Sequence, residues 1–185
     1  DDKFIPGLRE LTERVHRHGA AIFVELIHGG PVHPKRLLGQ PIAASSLPPD
    51  EMPIRDFDKA REATLPEIKD IQLAFAKAAE RAVKAGFDGV EVHGSQRYLI
   101  NTFLSRAWNK RQDAYGCQDL ESRARFGVEV MQAVRERVGQ HFIGGIRLNG
   151  GEGGLEKGIT AEESQAFGQM FEAAGADFLD ISGYG

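Results

Sequence analysis

Residues 84–94, KAGFDGVEVHG, decide the fold class of this 185-residue chain. A helical pattern ends there at Gly86, and the apolar run of residues 89–92 has the composition of a buried parallel strand. A similar motif occurs at residues 173–177, AAGAD, again with a glycine after a helix and an apolar run beyond it. Two equivalent helix-to-strand turns predict an α/β fold with right-handed crossovers.

Working outward from this stretch, four units of helix followed by strand can be counted. The predicted strands are residues 20–26, 89–92, 142–148 and 177–182, and the main helices begin near Ile5, Pro66, Arg123 and Thr160. Polar residues at the strand ends, and no Gly-rich dinucleotide turn after the first strand, favour a (β/α)8 barrel over a doubly wound sheet. A full barrel takes about 250 residues. Residues 1–185 are therefore predicted to be one partial barrel domain, its four central units.

Three connecting segments carry further expectations. A loop rich in Pro and Gly, from His28 to about Thr64, is too long for a plain connection and is expected to be functional. Residues 98–104 are predicted to form a short helix. The Gly-rich residues 150–154 lack the phosphate-loop pattern, so a mobile loop is expected there.

Composition excludes several classes of protein. With 23 Lys+Arg against 27 Asp+Glu, the formal net charge is −4, which gives no field for nucleic acid. No apolar run reaches the roughly 20 residues of a membrane span. The single Cys117 excludes an internal disulfide and a thiolate metal site, so no metal is expected and a cytoplasmic location is predicted. The N-terminus lacks Met and a signal-peptide pattern, so it is expected to be the middle of a longer chain.

The candidate catalytic residues follow the second predicted strand, because the chemistry of a barrel lies where strands end. His93 and Gln96 are three residues apart, which on a helical turn would direct both side-chain donors at one ligand oxygen. Tyr98 could then offer a proton nearby. The alternative is that His93 caps a strand, Gln96 is solvated and Tyr98 packs in the core.

Two further charges stand alone in apolar strands. Arg147 is the only charged residue of the third strand run, and burying a guanidinium requires a partner. A ring carbonyl, a phosphate or a structural carboxylate would each serve. Glu25 is likewise a lone charge at the end of the first strand, with the same alternatives open.

Several motifs resemble the Old Yellow Enzyme family of FMN-dependent oxidoreductases. The motifs are residues 85–94 (AGFDGVEVHG), 98–101 (YLIN), 103–105 (FLS), 109–111 (NKR) and 121–126 (ESRARF). The resemblance extends over nearly the whole chain, since residues 5–8 with 26–30 are similar to the family's third-strand region and residues 145–148 to its fifth. It implies that the chain covers strands three to six of that barrel.

The resemblance implies a cofactor, FMN, a reductant, NAD(P)H, and a role for each candidate residue. Tyr98 would donate a proton to the substrate, and His93 and Gln96 would donate hydrogen bonds to the substrate oxygen. Arg147 would hold the flavin near N1 and the C2 carbonyl, and Glu25 stands where the family usually has a Gln facing the flavin pyrimidine. The implied reaction transfers hydride from NAD(P)H through FMN to an activated C=C bond of an unsaturated carbonyl or acyl-CoA.

Other functions stay open at this point. Residues 25–30, ELIHGG, are closer to the dienoyl-CoA reductase and amine dehydrogenase branches, so oxidative C–N cleavage is one alternative. A half-barrel that binds or assembles without turnover is another. The expected partner is a small-molecule substrate, and a homo-oligomer stays open. Because the family's phosphate site lies on later strands, the isolated chain is expected to bind FMN weakly.

Overall fold

A four-stranded parallel sheet forms the centre of the computed structural model, which describes residues 1–33, 39–46 and 60–183. The strands are β1 (Phe23–Leu26), β4 (Gly89–Gly94), β5 (Ile143–Asn149) and β6 (Phe178–Ser182), hydrogen-bonded in the order β1-β4-β5-β6. The predicted α/β class and all four predicted strands are confirmed. Each strand begins within a few residues of its predicted start, and β4 continues two residues further than predicted.

Part of the long loop predicted from His28 to about Thr64 lies outside the described residues. Its described part contains a 3-10 turn at Gly30–Val32. It also contains a small parallel pair, β2 (Ile42–Ala43) with β3 (Arg61–Glu62). The chain therefore leaves the main sheet after β1 and forms a separate small ladder before it returns.

The helices lie between the strands as the apolar spacing predicts. They are α1 (Ile5–His16), α2 (Leu65–Ala85), α3 (Leu99–Leu104), α4 (Leu120–Val138) and α5 (Ala161–Ala173). The predicted capping box of Thr160 with Glu163 is confirmed, and α2 begins with an equivalent box. Helix α4 begins three residues earlier than predicted, because the Asp119 side chain accepts a hydrogen bond from the Ser122 N–H and caps it. Within the described ranges, none of the helices combines the length and the apolar character needed to cross a bilayer.

The repeated phrase has a structural reason in both of its copies. Its glycines have left-handed backbones, with φ of +84° and +98°, a conformation that glycine adopts without strain. Its aspartates contact the neighbouring strand of the main sheet that comes earlier in the chain. The Asp88 carboxylate accepts from the N–H of Ile22, next to β1, at 2.7 Å, and the Asp177 carboxylate accepts from the N–H of Gly144, in β5, at 2.8 Å. Each aspartate therefore fastens its own strand to the one before it.

One face of the sheet is apolar and covered by helices. Val90 and Val92 of β4 are fully buried there, as are Ile146 and Leu148 of β5. They join one continuous core with helix residues such as Phe103 and residues 126, 167 and 171. Burial of this apolar surface favours folding.

The opposite face is concave. Phe23 and Phe178, on the two edge strands, place their ring centroids 5.8 Å apart. In a flat sheet, strands three positions apart lie roughly 14 Å apart, so the contact requires strong curvature. Gly89 and Gly145 make room for it, because a Cβ at either position would lie under 3.0 Å from a phenylalanine ring. This concave face corresponds to the interior of a barrel.

Candidate active site

The concave face carries the charged side chains of the sheet. Alternation along β4 puts Glu91 and His93 on the face opposite Val90 and Val92. Strand register sets Glu25 beside Glu91, His93 beside Arg147, and Arg147 beside Asp180. Glu25, Arg147 and His93, which come from three different strands, therefore meet at one place.

Arg147 lies among three carboxylates. Its Nε and Nη2 donate to Asp180 Oδ2 at 2.9 and 2.7 Å. Its Nη2 also lies 3.1 Å from Glu91 Oε2, and its Nη1 lies 3.3 Å from Glu25 Oε1. The structural carboxylate that the sequence left open as a partner is thus present, yet about 31% of the side chain stays exposed. The guanidinium can therefore still meet a ligand on the concave face.

Sequence reasoning missed Glu91 and Asp180 as members of this cluster. Each is a charged residue inside an apolar strand run, which is the signal that identified Arg147. Applied to every strand, the same criterion would have found both. What the sequence does not contain is the register that joins them to one guanidinium.

The pKa values of the two glutamates of the cluster are shifted in opposite directions. Burial, and then the hydrogen bond with Glu25, raise the pKa of Glu91 to about 7. Burial alone would also raise the pKa of Glu25, but hydrogen bonds with His93 and Glu91 and the charge of Arg147 outweigh it and hold that pKa below its usual value. Near neutral pH, Glu25 is ionised and Glu91 is divided between its two protonation states.

His93 is buried at the end of β4 and is oriented by Glu25. Its Nδ1 lies 2.5 Å from Glu25 Oε1. An ionised carboxylate can only accept, so Nδ1 carries the hydrogen of this bond. The other nitrogen, Nε2, lies 3.3 Å from the Ser95 hydroxyl. The ring is therefore fixed from both sides.

Tyr98 lies against His93. Their ring centroids are 4.6 Å apart and the planes are nearly perpendicular, at 79°. Tyr98 immediately precedes α3 and is half-buried. The structure thus brings together His93 and Tyr98, and their roles in catalysis stay a prediction.

The predicted helical relation between His93 and Gln96 is wrong. His93 lies inside β4, and Gln96 and Arg97 have positive φ of 53° and 67°. The physical reason is a tight turn held by Asn149, whose Oδ1 accepts from the Gln96 N–H at 3.0 Å. Gln96 is half-buried, and its role as a second donor stays a prediction.

The Gly-rich loop expected to be mobile is instead anchored by Glu152. This side chain is buried and accepts hydrogen bonds from Asn101, Ser105 and the Ile159 N–H at 2.8, 2.5 and 2.9 Å. Four bonds to one carboxylate, counting that from Asn149 at 3.3 Å, saturate its acceptor sites. No periodicity signal marks a residue between glycines, so this role could not be predicted from the local pattern.

Arg147 and Glu25 fit the pyrimidine edge of a flavin. That edge presents acceptors at N1 and the C2 carbonyl and a donor at N3. A partly exposed guanidinium supplies the donor and an adjacent ionised carboxylate supplies the acceptor. Among the described side chains, no three His, Cys, Asp or Glu residues converge in a way that could hold a metal ion.

Comparison with protein families gives a match over residues 1–183. The matching family is described as the NADH:flavin oxidoreductase / NADH oxidase family. A curated relative, the metal reductase of Desulforamulus reducens, is 42% identical over 183 residues, which are 99% of this chain and 27% of that protein. The chain spans between about a quarter and a half of the length of the curated relatives it matches.

Solved structures of three oxidoreductases superimpose closely. A complex of 2-naphthoyl-CoA reductase with 2-naphthoyl-CoA gives a TM-score of 0.91 at 31% identity, covering 100% of this chain and 29% of that one. Histamine dehydrogenase from Rhizobium sp. 4-9 gives 0.87 at 34% identity, covering 99% and 26%. An Old Yellow Enzyme homologue from Zymomonas mobilis gives 0.83 at 29%, covering 96% and 52%. The predicted fold, part of a (β/α)8 barrel of this type, is confirmed.

Proposed function

The chain belongs to the NADH:flavin oxidoreductase / NADH oxidase family, and on that premise we propose that it is the substrate-binding part of an FMN-dependent, NAD(P)H-linked reductase of activated C=C bonds. FMN, when bound, would accept hydride from NAD(P)H and deliver it to the β-carbon of an unsaturated carbonyl compound. The observation that carries the proposal is the contact of His93 with Tyr98 on the concave face that also bears Arg147.

The chain's own residues would bind, orient and protonate the substrate. Because Glu25 already accepts the hydrogen of Nδ1, His93 would donate to the carbonyl oxygen from Nε2 in the doubly protonated form of its ring. With Gln96 as a second donor, it would stabilise the negative charge that develops on that oxygen as hydride arrives. The Tyr98 hydroxyl would donate its proton to the α-carbon. Arg147 and Glu25 would hold the flavin pyrimidine through the donor and acceptor described above.

The substrate class follows from what the donors can recognise. A carbonyl oxygen conjugated to a C=C bond is the acceptor that this arrangement needs, and both an enone and an α,β-unsaturated acyl-CoA present one. The close likeness to 2-naphthoyl-CoA reductase supports including acyl-CoA substrates in this class.

Replacing Tyr98 by Phe tests the proposal, because it keeps the ring and removes the proton. In the whole protein, flavin reduction by NAD(P)H should change little. Flavin reoxidation by an enone should slow by about 10²–10⁴-fold, the usual cost of losing a general acid. Stopped-flow absorbance measures each half-reaction.

Oxygen serves as the control oxidant, because its reaction needs no proton on a carbon. Oxygen reoxidation should be unchanged in Tyr98→Phe. Equal slowing of every step would assign Tyr98 a packing role, and unchanged enone reduction would remove it from the mechanism.

Oxidative C–N cleavage is the second candidate function. It is favoured by the likeness to histamine dehydrogenase at 34% identity. The two candidates differ in the direction of electron flow: an amine would reduce the flavin in one case, and NAD(P)H in the other. Anaerobic titration of the oxidised protein with each reductant, followed at the flavin absorbance, decides between them.

A further inference from the structure

A buried polar network lies beneath the turn that joins His93 to Tyr98. Asn149, at the end of β5, connects to Asn101 on α3 and to Glu152 in the Gly-rich loop. The side chains of Asn101, Asn149 and Glu152 expose 8% or less of their surface. They are buried and bond to one another, so we seek their function in what they hold.

The network holds a strained piece of backbone. Gln96 and Arg97 are consecutive non-glycine residues with positive φ, a conformation that is costly for each residue and persists only where its surroundings fix it. The Gln96 N–H donates to Asn149 Oδ1 at 3.0 Å. Asn149 is therefore in direct contact with the turn that precedes Tyr98.

Glu152 determines which way the Asn149 amide points. A carboxylate offers acceptors only, so the group of Asn149 that faces it must be the NH2. Asn149 Nδ2 accordingly lies 3.3 Å from Glu152 Oε1 and donates to Asn101 Oδ1 at 3.0 Å. The opposite atom, Oδ1, is left to accept from Gln96. Glu152 thus acts on the turn through the orientation of one amide.

We propose that Asn149 and Glu152 are positioning residues, which hold the turn at Gln96 so that Tyr98 and His93 meet a substrate in the correct geometry. The inference rests on the proposed function for the identity of the turn as a substrate site. The mechanical part of the inference, which is the hydrogen-bond polarity of the network, is independent of the proposed function.

Exchanging the polarity of two side chains tests the network. In Glu152→Gln, the amide oxygen has to face the Ile159 N–H, which can only donate, so the NH2 faces the donors of Asn101 and Asn149. Satisfying it would rotate the Asn149 amide so that its NH2 faces the Gln96 N–H. Asn149→Asp keeps the acceptor for Gln96 but opposes two carboxylates. In the double variant, the carboxylate introduced at position 149 accepts from Gln96 and from the new amide, and a rotated Asn101 satisfies the remaining atoms. The double variant should therefore recover what each single variant loses.

Two readouts separate the network from the proposed function. Amide hydrogen exchange of residues 95–98 reports the turn itself, and each single variant should exchange about tenfold faster there. Glu152→Gln turns the Asn149 acceptor away from the Gln96 N–H, and Asn149→Asp displaces the residue by opposing two carboxylates. Enone turnover in the whole protein should fall by about tenfold in kcat/KM for the single variants. Both quantities should return to within about threefold of the wild type in the double variant.

A matched control is Glu163→Gln, which removes a half-buried carboxylate charge paired with Arg123, outside the network. It should lower stability and leave exchange of residues 95–98 unchanged. Unchanged exchange in both single variants, or a double variant as defective as they are, overturns the proposal. Single variants that fail to fold while the double variant folds support it. Restored exchange without any effect on enone turnover supports the mechanical part and contradicts the proposed function of the turn.

Discussion

The two faces of one sheet differ in what they contribute. On the helix-facing side, Ile146 is fully buried in the apolar core. On the concave side its neighbour Arg147 meets carboxylates from three other strands. Successive residues of a single strand thus serve different ends, stability on one face and chemistry on the other. A substitution on the first face should act equally at every pH, and one on the second should depend on ionisation.

The largest effect is expected on the apolar face. Ile146→Ala should lower the free energy of unfolding by about 2–5 kcal/mol, because it removes buried methyl and methylene groups and leaves a cavity. The loss should be the same at pH 5 and pH 8 in urea unfolding. Arg147→Met, the matched variant on the other face, should be destabilising at pH 8 and much less so at low pH, where its carboxylate partners are protonated. A pH-independent loss in Arg147→Met would contradict the distinction between the faces.

A smaller effect of opposite sign is expected for Glu91→Gln. The pKa of Glu91 is about 7 in the folded protein and near 4.5 in the unfolded chain, so the folded state binds the proton more tightly. Ionising Glu91 therefore costs stability as pH rises from about 4.5 to 7, and the full cost is present above pH 7. The neutral Gln avoids it, so the variant should be more stable than the wild type at pH 8 by roughly 1–2 kcal/mol, allowing for solvent screening. Below pH 4.5 the two should unfold alike.

Glu163→Gln is a control in which the same substitution should lower the stability at pH 8 instead of raising it. Hydrogen bonds from Arg123 hold the pKa of Glu163 below its usual value, so its ionised form stabilises the fold. Its replacement should be destabilising at pH 8, with the loss fading as the pH falls through the pKa of this carboxyl group. If both glutamine variants shift stability in the same direction at pH 8, the protonation assigned to Glu91 is wrong.

The smallest effect is expected on the reduction potential of the flavin. Glu25→Gln removes a negative charge that disfavours the anionic reduced flavin. In the FMN-loaded whole protein it should raise the midpoint potential by on the order of 20 mV, roughly 1 kcal/mol for a two-electron couple. Spectroelectrochemical titration measures this shift. A midpoint potential that falls or stays constant would show that Glu25 does not lie beside the flavin. Glu10→Gln, on the exposed side of α1, is the control for a general effect of removing one negative charge.

The sequence predicted what depends on local pattern. Strands, helices and the Thr160 capping box follow from spacing and from single residues, and the structure confirms them. The partners of Arg147 depend instead on the register of three other strands, which no local pattern contains. The geometry of Gln96 was mispredicted for a related reason, because its turn is fixed by Asn149, 53 residues away. Side-chain relations across the sheet were therefore the part that the sequence alone could not supply.

The backward-reaching aspartates bear on how this chain emerges from the ribosome. The acceptor for the Ile22 amide is Asp88, synthesised 66 residues later, and the acceptor for the Gly144 amide is Asp177, synthesised 33 residues later. In or next to β1 and β5 there is thus a backbone amide whose acceptor is translated only with the next strand of the main sheet. The first interval is twice the second, since the Pro- and Gly-rich excursion lies within it. Between these two pairs, β1 therefore waits longer for the later strand that pairs with it, and in that interval its side facing β4 is open to pairing with another chain.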